Sequence, residues 1–371
     1  MNITKTIYLK GFKNKKSNKR IIKIFKKLIE EKNEIIRSLT KTYKNSYTNK
    51  FLTKYKKYSE IRLIGMGGSS LGAQSIYSFL KHKIKKKFIF VDNLDPENLN
   101  RKDNKKILNL VISKSGKTLE TITNFNLLVR KEQKNIFITE DKKNTLRDLA
   151  KKLKSDVIFH NNFIGGRYSV LSEVGMLPAD LMGLKPLKFK QLNSLVKNKN
   201  FIDILISNVS NLLTFANTKK TNSIILNYDD KSLDLFYWYQ QLVAESIGKN
   251  SKGILPIISS MPKDNHSLMQ LYLSGPKNNF YTFFFVKDKI SKNINKVKFS
   301  QFNATQNVFK KKNIPFRSFV IDKRNEETLG ELFTFFILET ILLARAMNVN
   351  PFNQPAVELI KTETKKILSK S

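Results

Sequence analysis

Cysteine is missing from all 371 residues, so no disulfide, no thiolate metal ligand and no thiol nucleophile belongs to this chain. Histidine occurs three times, at 82, 160 and 266. Long hydrophobic runs are missing too: no segment approaches the ~18 apolar residues that a membrane helix needs. The opening stretch "MNITKTIYLKGFKNKKSNKR" has no apolar core of signal-peptide type. These absences predict a soluble, cytoplasmic protein without a membrane partner.

Acidic residues are scarce, 30 against 68 lysines and arginines, for a net charge of +38. Such an excess raises the question of a nucleic-acid partner. The lysines are spread along the chain, in runs at 13–16, 83–87 and 310–312 and at the C-terminal end, among many Asn, Ile and Phe. That distribution reads as a lysine-rich, solvated surface rather than a selected patch, and no nucleic acid is expected. A general attraction for anionic metabolites follows from the charge.

The length suits two domains, and the pattern of apolar runs divides the chain. Residues 1–55 are polar with apolar positions at helical spacing in "IIKIFKKLIEEKNEIIRSL", which predicts a covering region of one or two helices. Residues 56–190 alternate short strands ("IRLIGM", "FIFVDN", "ILNLVIS", "NIFITE", "DVIFH") with amphipathic helices starting near Ser70, Pro96, Lys117 and Thr145. The Gly- and Pro-bearing stretch 165–190 reads as the junction between domains. Residues 191–371 repeat the alternation: "SIILNY", the helix "LDLFYWYQQLVAESIG", a loop through "PIISS", "YTFFFV", a helix near 303–312, "FRSFVI", and a helix over 326–347. A last helix over 356–368 is expected to pack back. The fold class is therefore α/β, with two doubly wound parallel sheets joined by right-handed crossovers.

Two strand-to-helix turns carry anion-binding chemistry. "GMGGSSLG" (65–72) sets backbone N–H groups and the positive end of a helix against an anion. It meets the dinucleotide fingerprint only in part, with Ser70 in place of the third glycine and Asp92 where a ribose-binding acid would stand. "SKSGKTLET" (113–121) adds Ser113, Ser115, Thr118 and Thr121, hydroxyls that suit a terminal phosphomonoester without an obligatory metal. Helix N-capping accounts for one of these hydroxyls, not four.

Elsewhere "QQLVAESIGK" sets Gln241 and Glu245 on one helix face, four residues apart, where a carboxylate can act as a base. "KDNHS" places His266 in a polar loop. "NQPAVELIK" puts Lys361 seven residues after Gln354, on nearly the same face.

In that order, "IGMGGSSLG", "SKSGKTLET", "IGGRYSVLSEVG", "AESIGK", "DNHSLMQLYLSGP" and "NPFNQPAVELIK" make the chain resemble the glucose-6-phosphate isomerase family, built from two sugar-isomerase (SIS) domains. The resemblance implies interconversion of glucose 6-phosphate and fructose 6-phosphate through a cis-enediol, in glycolysis and gluconeogenesis, with no cofactor and no metal. By position it implies a substrate site of Gly68, Ser69, Ser113, Lys114, Ser115 and Thr118, with Gln241 and Gln354 orienting the sugar. Glu245 would be the base between C2 and C1, and Arg167 the cation beside the enediolate. His266 would open the ring, assisted by Lys361. A homodimer is implied, with His266 supplied across the interface.

Glu173 departs from the family pattern, which has a small residue or proline there. Its carboxylate, six residues from Arg167, is expected to be able to pair with that arginine. The chain is also short for the family, and "NQPAV" has alanine where glycine is commoner. A phosphosugar-binding regulatory module would keep both phosphate loops yet need none of Glu245, His266 or Lys361, whereas all three are present.

Overall fold

The computed structural model describes residues 2–13, 17–100, 106–287 and 292–370, so most of the lysine run at 13–16 lies outside the described residues. Ten strands follow in chain order: β1 (Ile7–Lys10), β2 (Glu60–Gly65), β3 (Lys87–Val91), β4 (Leu108–Ile112), β5 (Lys134–Glu140), β6 (Asp156–His160), β7 (Asn222–Asn227), β8 (Leu255–Ser260), β9 (Asn279–Val286) and β10 (Phe316–Ile321). They form two five-stranded sheets, ordered β3-β2-β4-β5-β6 and β1-β10-β9-β7-β8. The first is parallel throughout; in the second, β1 alone runs antiparallel, against β10.

β1 corrects the helical reading of residues 1–55. In "IYLK" Ile7 and Leu9 are buried while Tyr8 and Lys10 face out, the period of two that a half-covered edge strand requires. Helices Lys19–Glu30 and Glu34–Ser38 follow as expected, each capped by an asparagine side chain, Asn18 and Asn33. β8 corrects the loop reading through "PIISS". It is the other edge of its sheet, where Pro256 can sit without breaking an internal ladder. The helix expected near 303–312 spans Lys292–Lys311, and after Pro96 the described residues form only a 3-10 turn, Pro96–Asn100.

The stretch 165–190 is not an exposed connector. It forms a 3-10 segment, Gly166–Leu171, and helices Glu173–Leu181 and Pro186–Phe189, with Tyr168, Val170, Leu171 and Met176 fully buried. One continuous core holds these residues together with Leu63 and Leu110 of the first sheet and Phe284 and Phe319 of the second. Helix Leu71–Phe79 lies along helix Leu233–Ile247, tied by Ser75 Oγ donating to Asp234 O at 2.8 Å. The last helix, Ala356–Leu368, does not pack back: none of its residues is buried. Among the described residues no helix is long and apolar enough to cross a membrane.

Candidate active site

In the first sheet the order reverses at β2, with β3 on one side and β4 on the other, and a crevice opens outside the C-terminal ends of such strands. Both predicted anion loops leave from there: Gly65–Ser70 follows β2 and Ser113–Thr118 follows β4, its neighbour. The glycines are dictated by contact. Gly67 has φ +53° and a Cβ on it would meet Gln241 Nε2 at 2.7 Å; Gly116 has φ +65° and its Cβ would overlap Asn144 Oδ1 at 2.0 Å.

The hydroxyls of the second loop are not spent on capping. Thr118 is the N-cap residue of helix Leu119–Leu128, yet its side chain makes no cap bond; its Oγ1 faces Ser113 Oγ at 2.8 Å. Ser115 Oγ accepts from Lys117 N at 3.3 Å, and Ser115 is exposed. Lys114 Nζ donates to Asn162 O at 2.7 Å, and burial pulls this amine below the usual lysine range. Thr121 Oγ1 is buried without a partner among the described residues. Gly68 and Ser69 sit on the facing turn, Gly67–Ser69, which has no side-chain cap either.

Arg167 joins this crevice to the second half of the chain. Only 2% exposed, it spends every guanidinium nitrogen. Nε donates to Ser246 Oγ (2.9 Å), one terminal nitrogen to Glu245 Oε2 (3.0 Å) and Gln354 Oε1 (2.9 Å), and the other to Pro351 O (2.6 Å) and Asn353 O (3.3 Å). Trp238 Nε1 donates to the Arg167 carbonyl at 3.2 Å, and Tyr168 OH donates to Pro351 O at 3.0 Å. Gln241 Nε2 donates to Glu245 Oε1 at 2.8 Å, leaving Gln241 Oε1 buried with no partner among the described residues. Both Glu245 oxygens are thus oriented while the carboxylate stays one-third exposed. A fixed guanidinium and an oriented, accessible carboxylate are what proton transfer beside a developing oxyanion needs.

Gly68, Ser69, Ser113, Lys114, Ser115 and Thr118 therefore lie on two adjoining turns, and Gly68 packs on Gly166 beside Arg167. Arg167, Gln241, Glu245 and Gln354 form one hydrogen-bonded group. His266 and Lys361 do not join it. Asp264 ties the His266 turn to Ser259 and Ser260, the C-terminal end of β8. Helix Leu233–Ile247 meets β8 near its other end through Gln240 Nε2 and Pro256 O, and the strand between is about 10 to 13 Å long. Lys361 is exposed and donates to Glu358 at 2.7 Å. Glu173 does not pair with Arg167; it is buried against His160, Asn161 N and Tyr43. Asp92 accepts from Gln74 Nε2.

Sequence reading missed the residues that hold Arg167: Trp238, Tyr168, Ser246 and Lys249. Their signal was adjacency, since Tyr168 follows Arg167 and Ser246 follows Glu245 inside quoted motifs. Lys249 Nζ donates to Ser246 O (3.0 Å) and Asn350 O (2.6 Å), fastening the loop that carries Gln354. Burial, then the charge of Arg167, draws its amine down to about 8, with Glu245 pulling the other way.

Known proteins resemble this chain in sequence and in fold. The family model described as Phosphoglucose isomerase matches residues 13–254. A glucose-6-phosphate isomerase of Methanocaldococcus jannaschii is 32% identical over 351 residues, covering 85% of this chain and 86% of the relative. One of Mycoplasmopsis synoviae is 33% identical over 349 residues, covering 82% and 81%. Among solved structures, a glucose-6-phosphate isomerase from Chlamydia trachomatis superposes with a TM-score of 0.73 at 20% identity, over 93% of this chain and 77% of that one. A tagatose-6-phosphate ketose/aldose isomerase from Escherichia coli gives 0.62 at 12%, over 92% and 98%. At such identities the solved structures speak for the fold, while the family match and the relatives speak for descent: the chain belongs to the phosphoglucose isomerase family.

Proposed function

We propose that this protein interconverts glucose 6-phosphate and fructose 6-phosphate, with Glu245 as the base and Arg167 as the cation at the reacting carbons. The observation that carries this reading is the Arg167–Glu245 contact at 3.0 Å, beside two turns with uncapped hydroxyls and glycines. Those turns hold the phosphate: Ser113, Ser115, Thr118 and Ser69 offer hydroxyls, Gly68 an N–H, and Lys114 a charge. Gln241 and Gln354 orient the open-chain sugar, the free Gln241 Oε1 taking a hydroxyl.

Glu245 takes the proton from C2 as the C1 carbonyl oxygen gains negative charge, and Arg167 stabilises the resulting enediolate. The hydroxyl proton on O2 passes to O1 as the same carboxyl returns the proton at C1, which leaves the carbonyl at C2 and gives the ketose. No electron leaves the substrate, so the residues need no redox partner. His266 opens the ring, from a second copy of the chain, because in its own chain most of β8 separates its turn from the helix that carries Glu245. Lys361 assists at the ring oxygen or its hydroxyl, from the helix that begins two residues after Gln354. The protein acts as a cytoplasmic homodimer. The domain division is residues 1–55, 56–190 and 191–371, with β1 of the first completing the sheet of the third.

The test is isomerisation of fructose 6-phosphate by the wild type and Glu245→Gln, read through a glucose-6-phosphate dehydrogenase. A loss of at least about a thousandfold in kcat, with phosphosugar binding retained, supports the assignment. An active Glu245→Gln enzyme removes Glu245 as the base.

A further inference from the structure

Arg167 sits in a 3-10 segment, and 3-10 hydrogen bonds hold a backbone less firmly than those of an α-helix. What fixes the segment lies beneath it. His160 Nε2 contacts Ile164 O at 3.0 Å, just before Gly165, and Lys190 Nζ donates to Leu171 O, where the segment ends. The two anchors meet in one buried cluster. His160 Nδ1 is 2.6 Å from Glu173 Oε1, which also accepts Asn161 N at 2.8 Å; Tyr43 OH donates to Glu173 Oε2 at 2.8 Å; the Lys190 ammonium stands 5.0 Å over the Tyr43 ring. Lys190 also donates to Ser38 O at 2.5 Å, and Asn161 Nδ2 to Glu34 Oε2 at 2.6 Å, so helix Glu34–Ser38 braces the cluster from outside. The Arg37 guanidinium also lies over the Tyr43 ring, 5.8 Å from its centroid.

Donor accounting orients the ring. Ile164 O can only accept, so His160 Nε2 donates, and a single proton lies between His160 Nδ1 and Glu173 Oε1, while Glu173 also accepts from Asn161 N and Tyr43 OH. His160, Glu173 and Lys190 are 3%, 1% and 2% exposed. Burying such ionisable groups gains little stability over a well-packed apolar core. Their geometric effect is specific: they hold both ends of the six residues that contain Arg167.

We propose that Glu173, His160, Tyr43 and Lys190 are positioning residues, a buried clamp that fixes the backbone of residues 164–171 and through it the guanidinium of Arg167. The inference rests on the role given to Arg167 above. It accounts for Glu173 as a functional member of the site that never touches substrate.

The test is a double-mutant cycle with Glu173→Gln and Arg167→Lys, measuring kcat and KM for fructose 6-phosphate. Glu173→Gln is expected to lower kcat about 10- to 100-fold with KM within about threefold, the cost of a misplaced catalytic group. In the Arg167→Lys background the same change should lower kcat by no more than about twofold, because the clamp acts only through Arg167. Glu173→Asp, which keeps the carboxylate, should recover part of kcat. A wild-type kcat in Glu173→Gln, or losses that multiply in the double variant, overturns the clamp. A wild-type kcat in Arg167→Lys instead overturns the role of Arg167, and the clamp with it. Should Glu173→Gln fail to fold, Tyr43→Phe removes one hydroxyl from the cluster and enters the same cycle with the same criteria.

Discussion

Gly68 and Gly166 meet backbone to backbone: a Cβ on Gly68 would stand 2.2 Å from the carbonyl carbon of Gly166 and 2.6 Å from the amide nitrogen of Arg167. The Gly68 turn and the arginine segment are therefore one surface, and under the proposed roles this contact sets the distance from phosphate to C2 of the sugar. Gly68→Ala must push the two backbones apart. Its kcat/KM for fructose 6-phosphate is expected to fall at least about 100-fold, since displacements of this size in a reacting geometry cost that much. Steady-state kinetics on folded Gly68→Ala check it; near-wild-type kcat/KM would mean that the two loops do not share a substrate.

The proposed phosphate role of Thr118 can be separated from helix capping. Its hydroxyl faces Ser113 and leaves the helix uncapped, so Thr118→Val, which keeps the branched shape, should alter thermal stability little. KM for fructose 6-phosphate should rise about tenfold, with kcat within about twofold, from the loss of one hydrogen bond to a charged group. The inhibition constant of inorganic phosphate should rise in parallel. A large fall in melting temperature with unchanged KM would assign Thr118 to capping instead.

The two glycine- and hydroxyl-bearing loops were legible because each sits where a strand ends, and local pattern reports such positions directly. Four residues of β1 were too few, in a lysine-rich surrounding, to outweigh the helical spacing that follows them. β8 was hidden by Pro256, which an edge position tolerates. The His160–Glu173–Tyr43–Lys190 cluster joins residues up to 147 apart, and no local spacing encodes that. Read locally, Glu173 had only Arg167 as a nearby cation; the fold turns it to the other side of the segment, toward His160. The final helix carries Val357, Ile360 and Ile367 on one stripe, a pattern that reads as buried, yet all three are exposed in the single chain.

Lys190 gives the clamp a pH signature. Burial draws its amine down to about 7, against which the Glu173 charge pulls upward. Between pH 7 and the ordinary lysine range the unfolded chain then binds more protons at this position than the folded one, so stability rises with pH across that window. Lys190→Met removes the contribution. The melting temperature of the wild type, followed from pH 7 to pH 10, should therefore climb relative to that of Lys190→Met, whatever the offset between the two curves. Parallel curves would show that Lys190 keeps its charge in the folded state.

His266 follows the C-terminal end of β8, whereas the helix that carries Glu245 meets β8 at Pro256, so the proposed site takes the two residues from two chains. In a two-fold dimer each site then contains one Glu245 and the partner subunit's His266. Glu245→Gln alone and His266→Ala alone each spoil both sites. When the two inactive proteins are unfolded together and refolded, half of the dimers are mixed, and each mixed dimer has one site with both defects and one with neither. Recovery of about a quarter of wild-type activity is the expected outcome, read by the coupled assay after refolding. No recovery, with mixed dimers demonstrated by mass, would place His266 and Glu245 in the same chain's site or remove His266 from the reaction.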